Sequence, residues 1–239
     1  MAIASGTGHR HSLAAPTTVN HRTRIKICGL TRPEDVHASV AAGADALGFV
    51  FYPKSPRYVT PEAAAVLIAQ VPPFVCTVGL FVNASPEEVR AVASVAPLSL
   101  LQFHGDETPE QCRAAAEAAG RPFIRALRVG AAMTPADLLE FEAGYRAAGR
   151  LFAGILLDTL VEGYGGSGKV FDWSLVPKDL APRAVLSGGL SVQNATDAVA
   201  RLRPFAVDVS SGVEQAKGIK DAALIRAFIG AVRAADNGG

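Results

Sequence analysis

The chain has 239 residues, 49% of them hydrophobic, 19% charged and 7% aromatic, a composition that excludes a disordered or collagen-like chain and suits one folded domain. Lys plus Arg number 23 against 22 for Asp plus Glu, so there is no one-signed field to draw nucleic acid or a membrane surface, and a small molecule is the expected partner. The three cysteines, Cys28, Cys76 and Cys112, lack C-x-x-C spacing and read as reduced thiols of a cytoplasmic compartment, while every apolar run falls short of the roughly 18 residues of a membrane span.

Residues 1–24 contain no Asp or Glu but three Arg and three of the five His. They carry no apolar h-region of a secretory signal and read as a disordered leader ahead of a catalytic domain over residues 25–239. From Arg24 onward, short runs rich in Val, Ile, Leu and Phe alternate with Ala- and charge-rich stretches of helical period. Strands are expected at 24–28, 45–50, 74–81, 98–103, 122–127, 152–157, 183–187 and 205–209. Helices are expected near 33–42, 61–70, 86–95, 108–119, 134–148, 191–201 and 220–234, with only a short or irregular element around 172–178. Thr31-Arg-Pro-Glu34 and Ser85-Pro-Glu-Glu88 have capping-box spacing, and Thr60-Pro61, Thr108-Pro109 and Thr134-Pro135 repeat the pattern of a hydroxyl before a proline at the first helical position. Eight strand-then-helix units point to an α/β chain folded as a single (β/α)8 TIM barrel, with a doubly wound open sheet as the alternative.

In a barrel, chemistry gathers at the C-terminal ends of the strands, and the polar residues of this chain are found there. Cys28 ends strand 1, Arg57 lies in the loop after strand 2, His104 ends strand 4, Asp158 ends strand 6, Gly188 and Gly189 follow strand 7, and Asp208 leads into Ser210, Ser211 and Gly212 after strand 8. Strand alternation turns Lys26, Cys28 and Asp208 inward, so Lys26 and Asp208 are expected to pair across adjacent strands, with the lysine favouring a Cys28 thiolate. The alternative for each cysteine is a small buried thiol, which is the expectation for Cys76 and Cys112. Asp158 closes a hydrophobic run, where desolvation raises a carboxyl toward use as an acid; a loop-orienting carboxylate is the plainer reading. Gly163–Lys169 reads as a mobile active-site loop without P-loop spacing. The glycine loops after strands 7 and 8 suit a phosphate, although tight turns alone would also ask for glycine. Arg57, in the proline-stiffened Pro53–Tyr58 segment, could grip a carboxylate with its fork or be a solvated charge, and His104 could touch ligand or pack at the rim. Neither metal-ligand spacing nor a dinucleotide fingerprint is present, so no metal or organic cofactor is expected.

A set of motifs ties these residues together: Lys26-Ile-Cys-Gly-Leu-Thr31, Gly43 through Tyr58, Val78–Asn83, Gln102-Phe-His-Gly105, Leu157-Asp-Thr159, Gly165–Gly168, Phe171-Asp-Trp173, Leu186–Leu190 and Asp208–Glu214. In that order they resemble the phosphoribosylanthranilate isomerase family of tryptophan biosynthesis, from about residue 24 to the C-terminus. The resemblance implies an Amadori rearrangement of N-(5-phosphoribosyl)anthranilate to 1-(2-carboxyphenylamino)-1-deoxyribulose 5-phosphate without metal or cofactor. It implies Cys28 as general base, Asp158 as general acid, Arg57 at the anthranilate carboxylate, and Gly188, Gly189, Ser210, Ser211 and Gly212 at the phosphate. Asp208 and His104 would meet substrate hydroxyls. Two alternatives are a histidine-pathway ribosyl isomerase, whose pattern has aspartate where this chain has Cys28, and a catalytically silent phosphate-binding barrel, which would be expected to lose Cys28 or Asp158. Monomer and homodimer are both open.

Overall fold

Eight apolar runs become eight parallel strands because helices and barrel interior cover both faces of each, leaving little need for polar alternation. The computed structural model describes residues 22–160 and 170–238. The strands are Arg24–Cys28 (β1), Ala46–Val50 (β2), Cys76–Phe81 (β3), Leu100–Phe103 (β4), Phe123–Val129 (β5), Phe152–Thr159 (β6), Ala184–Leu186 (β7) and Ala206–Val209 (β8). Each pairs with the next, and β8 returns to β1 to close the barrel. The open doubly wound sheet is thereby excluded. The closing register sets Lys26 opposite Asp208 on β8 and Ala46 on β2.

The helices are Pro33–Ala42 (α1), Pro61–Ile68 (α2), Pro86–Val95 (α3), Pro109–Ala119 (α4), Pro135–Ala147 (α5), Ala195–Leu202 (α6) and Ala222–Asn237 (α7). Among the described residues between β6 and β7 there are only two single 3-10 turns, Trp173–Leu175 and Ala181–Arg183. None of the described helices is long and apolar enough to cross a membrane. Proline opens α1 through α5, where its missing N–H costs no helical bond. Ser85, Thr108 and Thr134 form complete capping boxes, and Thr60 accepts from Ala63 N–H; each such cap contributes about 1 kcal/mol.

Outward-facing Phe81, Phe103 and Phe123 are fully buried between barrel and helices. They belong to a run of rings from Phe51 to Phe152 with neighbouring centroids 5.4–6.2 Å apart. Each contributes about 1.5–3 kcal/mol from burial alone. Inside the barrel, Ile124, Ala126 and Leu156 pack with Leu100 and Val185.

Four expectations need correction. The box at Thr31 does not form: Arg32 is the N-cap of α1 without a side-chain cap bond, and Thr31 Oγ1 instead donates to the Gly218 carbonyl at 2.6 Å. That carbonyl belongs to an antiparallel hairpin, Glu214–Ala216 (β9) and Ile219–Lys220 (β10), which delays α7 to Ala222. Phe74 lies before β3 rather than in it, because its φ of 71° is left-handed. Residues 22–24, expected in the leader, are tied to the domain. Thr23 is buried, its N–H and hydroxyl donating to Asp236, while Arg22 pairs with Asp45.

Candidate active site

The strand ends and the loops that follow them line a solvent-open cleft. Cys28, Arg57, His104, Asp158, Gly188, Gly189, Asp208, Ser210 and Ser211 all face it. Residues spread over 184 positions of sequence converge there because a closed barrel brings every βα loop to one face.

On the β1/β8 side, Lys26 Nζ donates to Asp208 Oδ1 at 2.9 Å, with both side chains 6% exposed. Burial alone would lower the lysine, but Asp208 and then Cys28 outweigh it and hold Lys26 above its ordinary range. Cys28 takes the next inward position on β1. Its Sγ fits because the neighbouring strand carries glycine: a Cβ on Gly48 would come within 2.8 Å of it. The expectation of an acidified thiol is not met. Burial pushes the Cys28 thiol up, Asp208 adds to this, and Lys26 and Lys220 only partly offset it. Removing bulk water from a small anion costs more here than one lysine already committed to a carboxylate returns.

Beside Cys28 lies a second charged group. Arg57 grips both oxygens of Glu214 through Nε and Nη2, at 2.7 and 2.8 Å. The fork edge expected for a substrate carboxylate is therefore engaged by the protein's own carboxylate. Lys220, whose side chain is fully enclosed, donates to Glu214 at 2.8 Å and to the Ser210 carbonyl at 3.0 Å, and Ser210 Oγ donates to the Cys28 carbonyl at 3.0 Å. Burial lowers Lys220 against the opposing pull of Glu214. Glu214 itself is held low because Arg57 and Lys220 overcome its burial.

Across the cleft, β4 and β6 supply a chain of hydrogen bonds. Gln102 Nε2 lies 3.0 Å from His104 Nδ1, His104 Nε2 lies 2.9 Å from Asp158 Oδ2, and Thr159 N–H donates to Asp158 Oδ1 at 2.8 Å. Both ring nitrogens of His104 thus have protein partners, so a bond to a substrate hydroxyl would displace one of them. Gly188 closes over this carboxylate with φ of 81° and Gly189 follows at 66°. A side chain at Gly188 would be both strained and within 2.9 Å of Asp158 Oδ1. The N–H groups of Gly188 and Gly189 have no protein acceptor among the described residues. Gly212 lies in the short 3-10 turn Ser211–Val213 and is not part of the lining; a Cβ there would overlap the Leu190 carbonyl, so it permits contact between the two loops. The expected loop Gly163–Lys169 lies outside the described residues.

The family model for N-(5'-phosphoribosyl)anthranilate (PRA) isomerase matches residues 25–231. The chain belongs to the phosphoribosylanthranilate isomerase family. It is with that family an isomerase of tryptophan biosynthesis. The N-(5'-phosphoribosyl)anthranilate isomerase of Herminiimonas arsenicoxydans is 69% identical over 219 residues, covering 92% of this chain and 96% of the relative. That of Leptothrix cholodnii is 61% identical, covering 90% and 93%. A crystal structure of phosphoribosyl anthranilate isomerase from Thermotoga maritima is 47% identical, with a TM-score of 0.79 over 89% of this chain and 99% of that one. A crystal structure of phosphoribosyl anthranilate isomerase in complex with reduced 1-(o-carboxyphenylamino)-1-deoxyribulose 5-phosphate is 44% identical with a TM-score of 0.75, covering 89% of this chain and 99% of that one.

For this isomerase, sequence reasoning left Gln102, Glu214 and Lys220 without roles. Gln102 was within reach of strand alternation, two residues before His104 on the same face. Lys220 offered no signal, since it lies in a two-residue strand inside a stretch that reads as the start of a helix.

Proposed function

We propose that Asp158 and Cys28 act as the acid and base of the Amadori rearrangement of N-(5-phosphoribosyl)anthranilate. The observation that supports this best is that both side chains face one cleft, each on a different strand end, with an arginine at one loop and two glycine loops at others. Asp158 gives its proton to the ribose ring oxygen as the bond from that oxygen to C1 breaks, leaving an open-chain Schiff base. Cys28, as thiolate, removes the C2 proton, and the electron pair moves to C1=C2 to give an enolamine. Return of a proton to C1 and loss of the enol proton yield the ketone.

Arg57 would meet the anthranilate carboxylate, held at the required angle by Glu214, and the N–H groups of Gly188 and Gly189 with the Ser210–Ser211 loop would receive the phosphate. Gly212 then supports that loop rather than touching ligand. Asp208, anchored by Lys26, is the stronger candidate for a substrate hydroxyl, because His104 is already bonded at both nitrogens.

The test is a fluorescence assay of substrate consumption by Cys28→Ser and Asp158→Asn. Each should lose about 10² to 10⁴ in turnover, the usual contribution of a positioned acid or base, while product-analogue affinity changes by less than about tenfold, or 1.4 kcal/mol. Undiminished turnover in either variant removes that residue from the chemistry.

A further inference from the structure

Gln102 is completely buried, yet its Oε1 has no hydrogen-bond partner among the described residues. A lone acceptor in a barrel interior is costly, and this one belongs to the residue that touches His104. We propose that Gln102 is a positioning residue whose amide orientation decides which nitrogen of His104 carries the proton, and thereby whether Asp158 can hold the proton that ring opening consumes. This rests on the reading of Asp158 as the general acid.

The hydrogen-bond chain has two self-consistent states. In the state seen here, the Gln102 amide nitrogen donates to His104 Nδ1, so a neutral ring carries its proton on Nε2 and donates it to Asp158 Oδ2. Thr159 N–H occupies Oδ1, so both carboxylate oxygens act as acceptors and Asp158 has no proton to give. Turning the amide by 180° about Cγ–Cδ places Oε1 on His104 Nδ1. That atom must then be N–H; the acceptor gains a partner and the amide nitrogen takes its place in the unpartnered position. His104 Nε2 now accepts from a protonated Asp158, or the pair shares one added proton as imidazolium and carboxylate. The turned state therefore differs from the first by one proton taken up from solvent, and it is the state in which the pair can act as acid.

The other charged groups around the pair do not supply this switch. On β5, Arg128 lies in register with Asp158 and pairs with Asp106. The neighbouring β7 end brings Ser187, whose hydroxyl reaches Asp208 at 3.4 Å, and the charge of Asp208 is met by Lys26.

The test uses full-length protein labelled with 15N-histidine, with the His104 ring signals assigned by their loss in His104→Gln. In the wild type, Nδ1 should pass from unprotonated to protonated as pH falls, over the same interval in which turnover gains its acid form. Gln102→Met removes both donor and acceptor: the ring should mix its two tautomers, and kcat should fall at least about tenfold with KM within about twofold. Gln102→Glu can only accept from Nδ1–H. It should keep that proton to higher pH, restore kcat to within about threefold of wild type at neutral pH and move the falling limb of the rate profile upward. Ring signals in Gln102→Met identical to wild type, or a Gln102→Glu protein with neither rescue nor a displaced limb, overturn the proposal. If Gln102→Met fails to fold, the wild-type titration and Gln102→Glu decide. The ring signals need no turnover, so the two failures separate: an active Asp158→Asn overturns the acid reading, whereas an inactive Asp158→Asn with an unresponsive ring overturns the tautomer proposal alone.

Discussion

The two sides of the cleft solve burial of polar groups in opposite ways. Around β1 and β8 the charges interlock: Lys26 with Asp208, Arg57 and Lys220 with Glu214, and Ser210 with the backbone of Cys28. Around β4 and β6 a chain of hydrogen bonds runs from Gln102 to Asp158, and two buried polar atoms, Gln102 Oε1 and Thr159 Oγ1, have no partner among the described residues. The first arrangement fixes its charges against one another, whereas the second leaves polar positions open along a chain of hydrogen bonds, so that protons can redistribute within it.

Removing one member from the interlocked side should have the larger effect. Lys26→Met strands Asp208 in the barrel interior beside Cys28, and urea denaturation should show a loss of about 3–5 kcal/mol. A loss below about 1 kcal/mol would mean that this side is not braced by its charges.

The same comparison sets the pH behaviour of Cys28. Its thiol is raised by burial, so alkylation by iodoacetamide and the rising limb of turnover should both set in above the ordinary thiol range, and later still in Lys26→Met. The linkage has a definite sign. A thiol that ionises later in the folded protein than in the unfolded chain contributes stability that is fully present below the unfolded thiol's range and is lost as pH climbs through the folded value. An alkylation midpoint at or below that of a free thiol would place the cations, not burial, in control. The smallest effect belongs to the opposite side: Thr159→Val replaces an unbonded buried hydroxyl by a methyl group and should leave stability within about 1 kcal/mol of wild type, or raise it slightly, as read from the melting transition.

What the sequence revealed follows the same division between local and distant causes. Strands, proline-opened helices and the caps at Ser85, Thr108 and Thr134 depend on neighbours within four residues, and their positions agree with the pattern to within a few residues. The inward turn of Lys26 and Asp208 was legible too, because alternation along β1 and β8 needs no knowledge of the rest. The hairpin at Glu214–Lys220 was hidden by its size, and its anchor on Thr31 consumed the hydroxyl that looked like a helix cap. The state of Cys28 was hidden for another reason. Alternation reveals which charge is near, but not how much water has been removed, and here the second effect wins.

The bond that closes the barrel also ties its function to completion of the chain. Lys26 and Asp208 are 182 residues apart, as are Ser210 and Cys28, so Lys26 leaves the ribosome long before its counter-charge exists. Until β8 has been made, any compact intermediate must either bury that lysine alone or leave the first strand undocked. The first strand is thus among the earliest to be synthesised, yet its pairing with β8 is among the last to become available.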